Sequence, residues 1–130
     1  MNTNYEKDFV PYEEALALKE LGFNEPCFGY YNYNGTHFFD YKPKTDDKNL
    51  TKAPLYQQAF RWFREKHNID AWVQPFVSEK HGKPFLPDES YAYYIFEDGV
   101  YVADGVNFLD SEEAELACLK KLIKIVKQQL

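Results

Sequence analysis

The chain has 130 residues, with 15 Lys and Arg against 21 Asp and Glu, for a formal net charge of −6. That length suits one domain with one core, and that charge repels phosphate backbones and anionic membrane surfaces, which argues against general nucleic-acid binding. The 45% hydrophobic and 28% charged shares are those of an ordinary globular protein, but an aromatic share of 18% means that rings must do much of the packing.

Residues 1–8 read as a flexible polar lead. They lack the apolar core of a signal peptide, and no stretch approaches the ~18 apolar residues of a membrane span, so a cytoplasmic location and no membrane contact are expected. PYEEALALKELGF then predicts a short helix, with Pro11 at its start, Glu13 and Glu14 at its positive end and Gly22 at a left-handed stop. Phe23, just past Gly22, is placed to fold back onto Leu18.

Residues 27–41, CFGYYNYNGTHFFDY, hold seven rings around Asn34-Gly35, a strong signal for a two-residue hairpin turn. Such a turn pairs Tyr33 with Thr36, Tyr31 with Phe38, Tyr30 with Phe39 and Phe28 with Tyr41. Alternation then puts Phe28, Tyr30, Phe39 and Tyr41 on one face, expected to pack under helices, and Tyr31, Tyr33 and Phe38 on the other.

A polar link, KPKTDDKNLTK, leads to APLYQQAFRWFREKHN, where Leu55, Tyr56, Ala59, Phe60, Trp62 and Phe63 recur at helical spacing and Asn68 supplies a left-handed end. DAWVQPFVS predicts a strand whose Pro75 argues for an edge or a bulge, and EKHGKPFLPDE a loop. SYAYYIFE, the Asp98-Gly99 turn and VYVADG predict a second hairpin, pairing Phe96 with Tyr101, Ile95 with Val102 and Tyr94 with Ala103. DSEEAELACLKKLIKIVKQQL closes the chain as a docking helix, capped by Asp110 and Glu113 and lined by Leu116, Leu119, Leu122, Ile123, Val126 and Leu130. The expected fold is a single α+β domain in the order αββαβββα, with a mostly antiparallel sheet carrying helices on one face.

Chemistry-bearing residues form no recognisable constellation. His37, His67 and His81 fall on a strand, a helix end and a loop, and none has a partner at local spacing, so His37 makes a poor general base. Cys27 and Cys118 are too far apart in sequence for a zinc or redox motif and read as buried thiols. The acidic pairs suit helix starts, turns and loops, no calcium-loop framework or Gly-rich phosphate cradle is present, and neither metal nor cofactor is expected. The basic end of the last helix, Lys120 to Lys127, suits the helix dipole. CFGYYNY also lacks the basic residues of an RNA-stacking sheet.

Three stretches, PYEEALALKELGFNEPCFGYY, APLYQQAFRWFREKHNIDAWV and EEAELACLKKLIKIV, together resemble small uncharacterised proteins encoded by phages, prophages and genomes of gut Bacteroidetes. The resemblance spans nearly the whole chain and implies a phage-borne, cytoplasmic accessory protein, with no activity or site residue to carry over.

The function expected is therefore non-enzymatic binding through an aromatic sheet face, comprising Tyr31, Tyr33 and Phe38 joined by Tyr91 and Tyr93, with a second copy or a host protein as partner. The alternative is a small-molecule or nucleotide site in which Tyr31, Tyr33 or Trp72 stacks on the ligand and Arg61 or Arg64 meets its anion.

Overall fold

A computed structural model describes residues 7–39, 50–76 and 90–130. Its elements are α1 (Tyr12–Glu20), β1 (Gly29–Tyr31), β2 (His37–Phe39), β3 (Thr51–Ala53), α2 (Tyr56–His67), β4 (Ile69–Pro75), β5 (Tyr91–Glu97), β6 (Val100–Phe108) and α3 (Ser111–Gln129). The class is α+β and the expected element order is present, with β3 added as a short strand at the end of the polar link. The strands form two antiparallel sheets, β2–β1–β3 and β4–β5–β6. Residues 1–6 of the lead, Tyr41, most of the polar link, and the loop containing His81 lie outside the described residues.

Local chemistry sets the helix ends. Gly22 has φ +102, and the Phe23 N–H donates to the Leu18 carbonyl at 2.9 Å, so α1 stops in a left-handed cap with Phe23 and Leu18 both buried. α2 ends at Asn68, whose φ of 56 is the left-handed cap expected of it. At α3, Asp110 Oδ1 accepts from the Glu113 N–H at 2.8 Å, while Glu113 Oε2 accepts from the Leu109 N–H at 3.0 Å, one residue ahead of the usual reciprocal bond.

Within α2 the five apolar residues Tyr56, Ala59, Phe60, Trp62 and Phe63 are all buried, and Arg61, Arg64, Glu65 and Lys66 face solvent. In α3, Leu119, Leu122, Ile123 and Val126 are buried as the spacing predicts, but Leu130 is exposed beyond the last turn. One continuous cluster joins Val10, Leu18 and Tyr31 to Phe63, Ile69, Ile95 and Leu119, so both sheets share a core. Phe63 alone, fully buried, contributes roughly 2–3 kcal/mol by leaving water.

The first hairpin departs from the two-residue register. Observed pairs are Gly29 with Phe39, Tyr30 with Phe38 and Tyr31 with His37, one residue off the expected alignment. The cause is Asn32: its Oδ1 accepts from the N–H groups of Asn34 (2.9 Å) and Thr36 (3.0 Å), and its carbonyl accepts from Gly35 N–H at 2.9 Å. Gly35 has φ +79 whereas Asn34 keeps a negative φ, so the connection is a three-residue loop built on a tight turn with a left-handed glycine.

A one-residue slip exchanges faces. Tyr31, expected on the open face, is 8% exposed in the core and donates its hydroxyl proton to the Val10 carbonyl at 2.7 Å. Phe28, expected under helices, is 67% exposed, and Tyr30 is only half-buried on the face that also carries exposed Phe38.

The second hairpin keeps its predicted turn. Asp98 (φ 52) and Gly99 (φ 78) both lie in the left-handed region, and Phe96 pairs with Tyr101 as expected. A bulge follows, so Ile95 meets Ala103 rather than Val102 and Tyr94 meets Asp104 rather than Ala103. Gly105 lies directly beneath the Tyr93 ring, leaving no room for a Cβ. β4 is an edge strand, with Pro75 at its final position.

Candidate functional site

Alternation along β4 sends Ile69, Ala71 and Val73 towards the core and Asp70, Trp72 and Gln74 to the opposite face. On β5, Tyr93 and Ile95 point inward among residues of α2 and α3, leaving Tyr94 and Phe96 outward. Register then assembles an aromatic row: Trp72 opposite Tyr94, and Phe96 opposite Tyr101.

The Trp72 and Phe96 rings are parallel within 2° with centroids 5.4 Å apart. Tyr94 lies 5.8 Å from Trp72, and Tyr101 meets Phe96 edge-on at 5.9 Å. Rings this close cannot lie side by side in one plane, so Trp72 and Phe96 are offset-stacked and each spends a π-face on the other. The row is therefore an apolar ridge of stacked rings rather than a flat stacking platform.

Exposure supports that reading, with Trp72 at 40% and Tyr101 at 53%, and with Val102 and Val106 also exposed on β6. The Trp72 indole N–H donates to Gln74 Oε1 at 3.0 Å, which holds the ring in place. The bulge turns Asp104 outward beside Tyr94, and the interaction of its carboxylate with the nearby Tyr101 hydroxyl is the largest cause of the upward shift in that hydroxyl's pKa. The three strands of this sheet carry Asp70, Glu97 and Asp104 but no Lys, Arg or His, so the surface is apolar with acidic flanks.

The residues singled out from sequence do not come together as one site. Tyr31 and Tyr93 are core residues, with the Tyr93 ring 5.8 Å from Phe108. Tyr33, 76% exposed, sits in the first hairpin loop, where its carbonyl accepts from the Tyr12 hydroxyl at 3.3 Å. Phe38 is exposed on β2, and Tyr91, half-buried, starts β5 opposite Pro75 and Phe108. Trp72 alone belongs to the aromatic row. Arg61 and Arg64 are exposed on α2 and line a separate groove of about 470 Å³ with Phe28 and Phe60, and Arg61 makes a long ion pair with Glu65 at 3.9 Å.

Sequence reasoning missed Tyr94, Phe96, Tyr101 and Asp104 as surface residues. The signal for three of them was present in the predicted Phe96 to Tyr101 pairing together with the alternation of Tyr94 and Phe96. Asp104 was not readable, because the bulge that turns it outward has no sequence mark here.

Burial raises both thiols from their ordinary value near 9.0 to about 12, Cys27 despite nearby Lys52 and Cys118 with help from Glu115, so they stay protonated at neutral pH. Among the described residues no group of three or more His, Cys, Asp or Glu side chains is arranged to hold a metal ion, and no helix is long and apolar enough to cross a membrane. No family model matches the chain, and neither a curated protein nor a solved structure shows significant similarity to it.

Proposed function

We propose that this is a non-enzymatic binding protein whose contact surface is the open face of β4–β5–β6, and that its partner is a protein surface presenting Lys or Arg among apolar side chains. The observation that carries the reading is the row Trp72, Tyr94, Phe96 and Tyr101, part exposed and pre-ordered by its own ring contacts. Trp and Tyr held rigidly in such a row lose little entropy on binding and dominate interface energetics where they occur. Asp70 and Asp104 beside the rings favour a basic partner, which adds cation–π contact to charge complementarity. A second copy would instead bring acids against acids in a chain of net charge −6. A phage-borne cytoplasmic accessory protein that binds a host protein is the context in which this surface makes sense.

Selection from a displayed random-peptide library tests the idea. Enriched peptides should combine Lys or Arg with apolar residues and lose at least tenfold in affinity towards Trp72→Ala and Tyr101→Ala. Peptides that bind the parent and both variants alike would overturn it. So would a dimer in sedimentation equilibrium that Trp72→Ala dissociates, because the occupant would then be a second copy.

A second reading retains one specific observation. Arg61, Arg64 and Phe28 share a groove, which suits an anion with an aromatic body such as a nucleotide. A rise in melting temperature with nucleotides, abolished by Arg61→Ala with Arg64→Ala and untouched by Tyr101→Ala, would move the function there.

A further inference from the structure

A groove of about 710 Å³, with no lining residue from β4, β5 or β6, opens between α1, the first hairpin and the start of α3, within the usual size range of small-molecule sites. Its walls are aromatic. Tyr12 and Tyr31 meet at 63° with centroids 5.3 Å apart, forming a corner rather than a closed stack. The His37 ring continues the wall, 5.1 Å from Tyr31 and 4.7 Å from Phe9, and Tyr56 lines it from α2.

These rings are held in place. The Tyr31 hydroxyl is fixed on the Val10 carbonyl and that of Tyr12 on the Tyr33 carbonyl. Burial, reinforced by Glu115 and Glu14, pushes the Tyr56 hydroxyl pKa up, so Tyr56 remains a neutral phenol.

Charge at the mouth has one dominant sign. Asp110, Glu112 and Glu113 line the groove, and Lys7 is the only Lys or Arg among its described lining residues. The capping bonds of Asp110 and Glu113 and the positive end of α3 offset part of that charge, while Glu112, whose Oε2 accepts from the Ser111 hydroxyl at 3.3 Å, adds a further exposed carboxylate. Electron-rich ring faces and carboxylates together attract a cation and repel an anion. A bare metal ion or a primary ammonium would have to give up strong hydration against rings that cannot replace it, whereas an alkylated ammonium is weakly hydrated and fills an apolar corner.

We propose that this groove binds an alkylated or quaternary ammonium group, seated against the half-buried Tyr12 ring beside the edges of the buried Tyr31 and Tyr56, with Glu112 and Glu113 supplying the countercharge. The same chemistry is offered by a free small molecule and by a trimethylated lysine side chain. The inference does not rest on the aromatic row of the second sheet, which occupies a different face.

The test is calorimetric titration of the full chain with choline, with a trimethyllysine peptide, and with 3,3-dimethylbutan-1-ol, the uncharged isostere of choline. Saturable binding of a charged probe at least tenfold tighter than the isostere is expected. Tyr12→Leu should weaken it about three- to thirtyfold. Glu112→Gln, at an exposed position and with the folded state checked by its melting curve, should weaken it about two- to fivefold, with the loss shrinking in high salt. Tighter binding of the peptide assigns a protein source, and tighter or equal binding of choline a free ligand. Equal affinity for the isostere, unchanged affinity in Glu112→Gln, or no saturable binding of either charged probe up to about 50 mM would overturn the proposal.

Discussion

Replacing Tyr31 by Phe tests the hairpin register on which the first sheet depends. The ring stays in the core and only the hydroxyl is lost, together with its 2.7 Å bond to the carbonyl of Val10, a residue with no solvent exposure. Loss of a buried hydrogen bond that strands a carbonyl acceptor costs about 1–3 kcal/mol. For 130 residues at ~2.1 cal/mol/K each, the unfolding entropy makes 1 kcal/mol worth roughly 4 °C, so the melting temperature should fall by about 4–11 °C. Urea unfolding followed by tryptophan fluorescence should show a lower midpoint at unchanged slope. Tyr33→Phe, on the exposed loop, should stay within about 0.5 kcal/mol of the parent. If Tyr31→Phe matched the parent while Tyr30→Phe lost the predicted stability, the two-residue Asn34-Gly35 turn would be the true one and the assignment of faces would be reversed.

Two further outcomes follow from packing and burial. Gly105→Ala places a methyl group into the Tyr93 ring and should destabilise by about 1–3 kcal/mol in urea melts; a parent-like midpoint would show that Tyr93 does not lie over that strand. Glu115, whose carboxyl pKa is raised by burial and then by Glu112 and Asp8, binds protons more tightly folded than unfolded, so its charge opposes folding in full above the folded pKa, the penalty shrinks as pH falls through that value, and it is gone below the unfolded pKa. Glu115→Gln should therefore be more stable than the parent at pH 7, with the gap closing at about pH 3.5, and a gap independent of pH would refute this cause.

Much of the architecture was legible because it is local. The stops at Gly22 and Asn68, the cap at Asp110, the buried stripe from Tyr56 to Phe63 and the Asp98-Gly99 turn each follow from the conformational preference of one residue or the period of a few. The candidate surface was legible only in kind. That one sheet face would press on helices and its reverse would carry exposed rings follows from composition and layer logic, but which rings these are depends on register, and register is decided between strands. Asn32 competes with Asn34-Gly35 for the same turn, and its side-chain bonds to Asn34 and Thr36 shift the pairing by one residue, carrying Tyr31 into the core and leaving Phe28 outside. A bulge after Phe96 likewise decided that Asp104 and not Ala103 stands beside Tyr94. Helix ends and turns are set by forces acting within a few residues, whereas a face is chosen by the total burial it offers, a quantity that exists only once distant strands and helices have met.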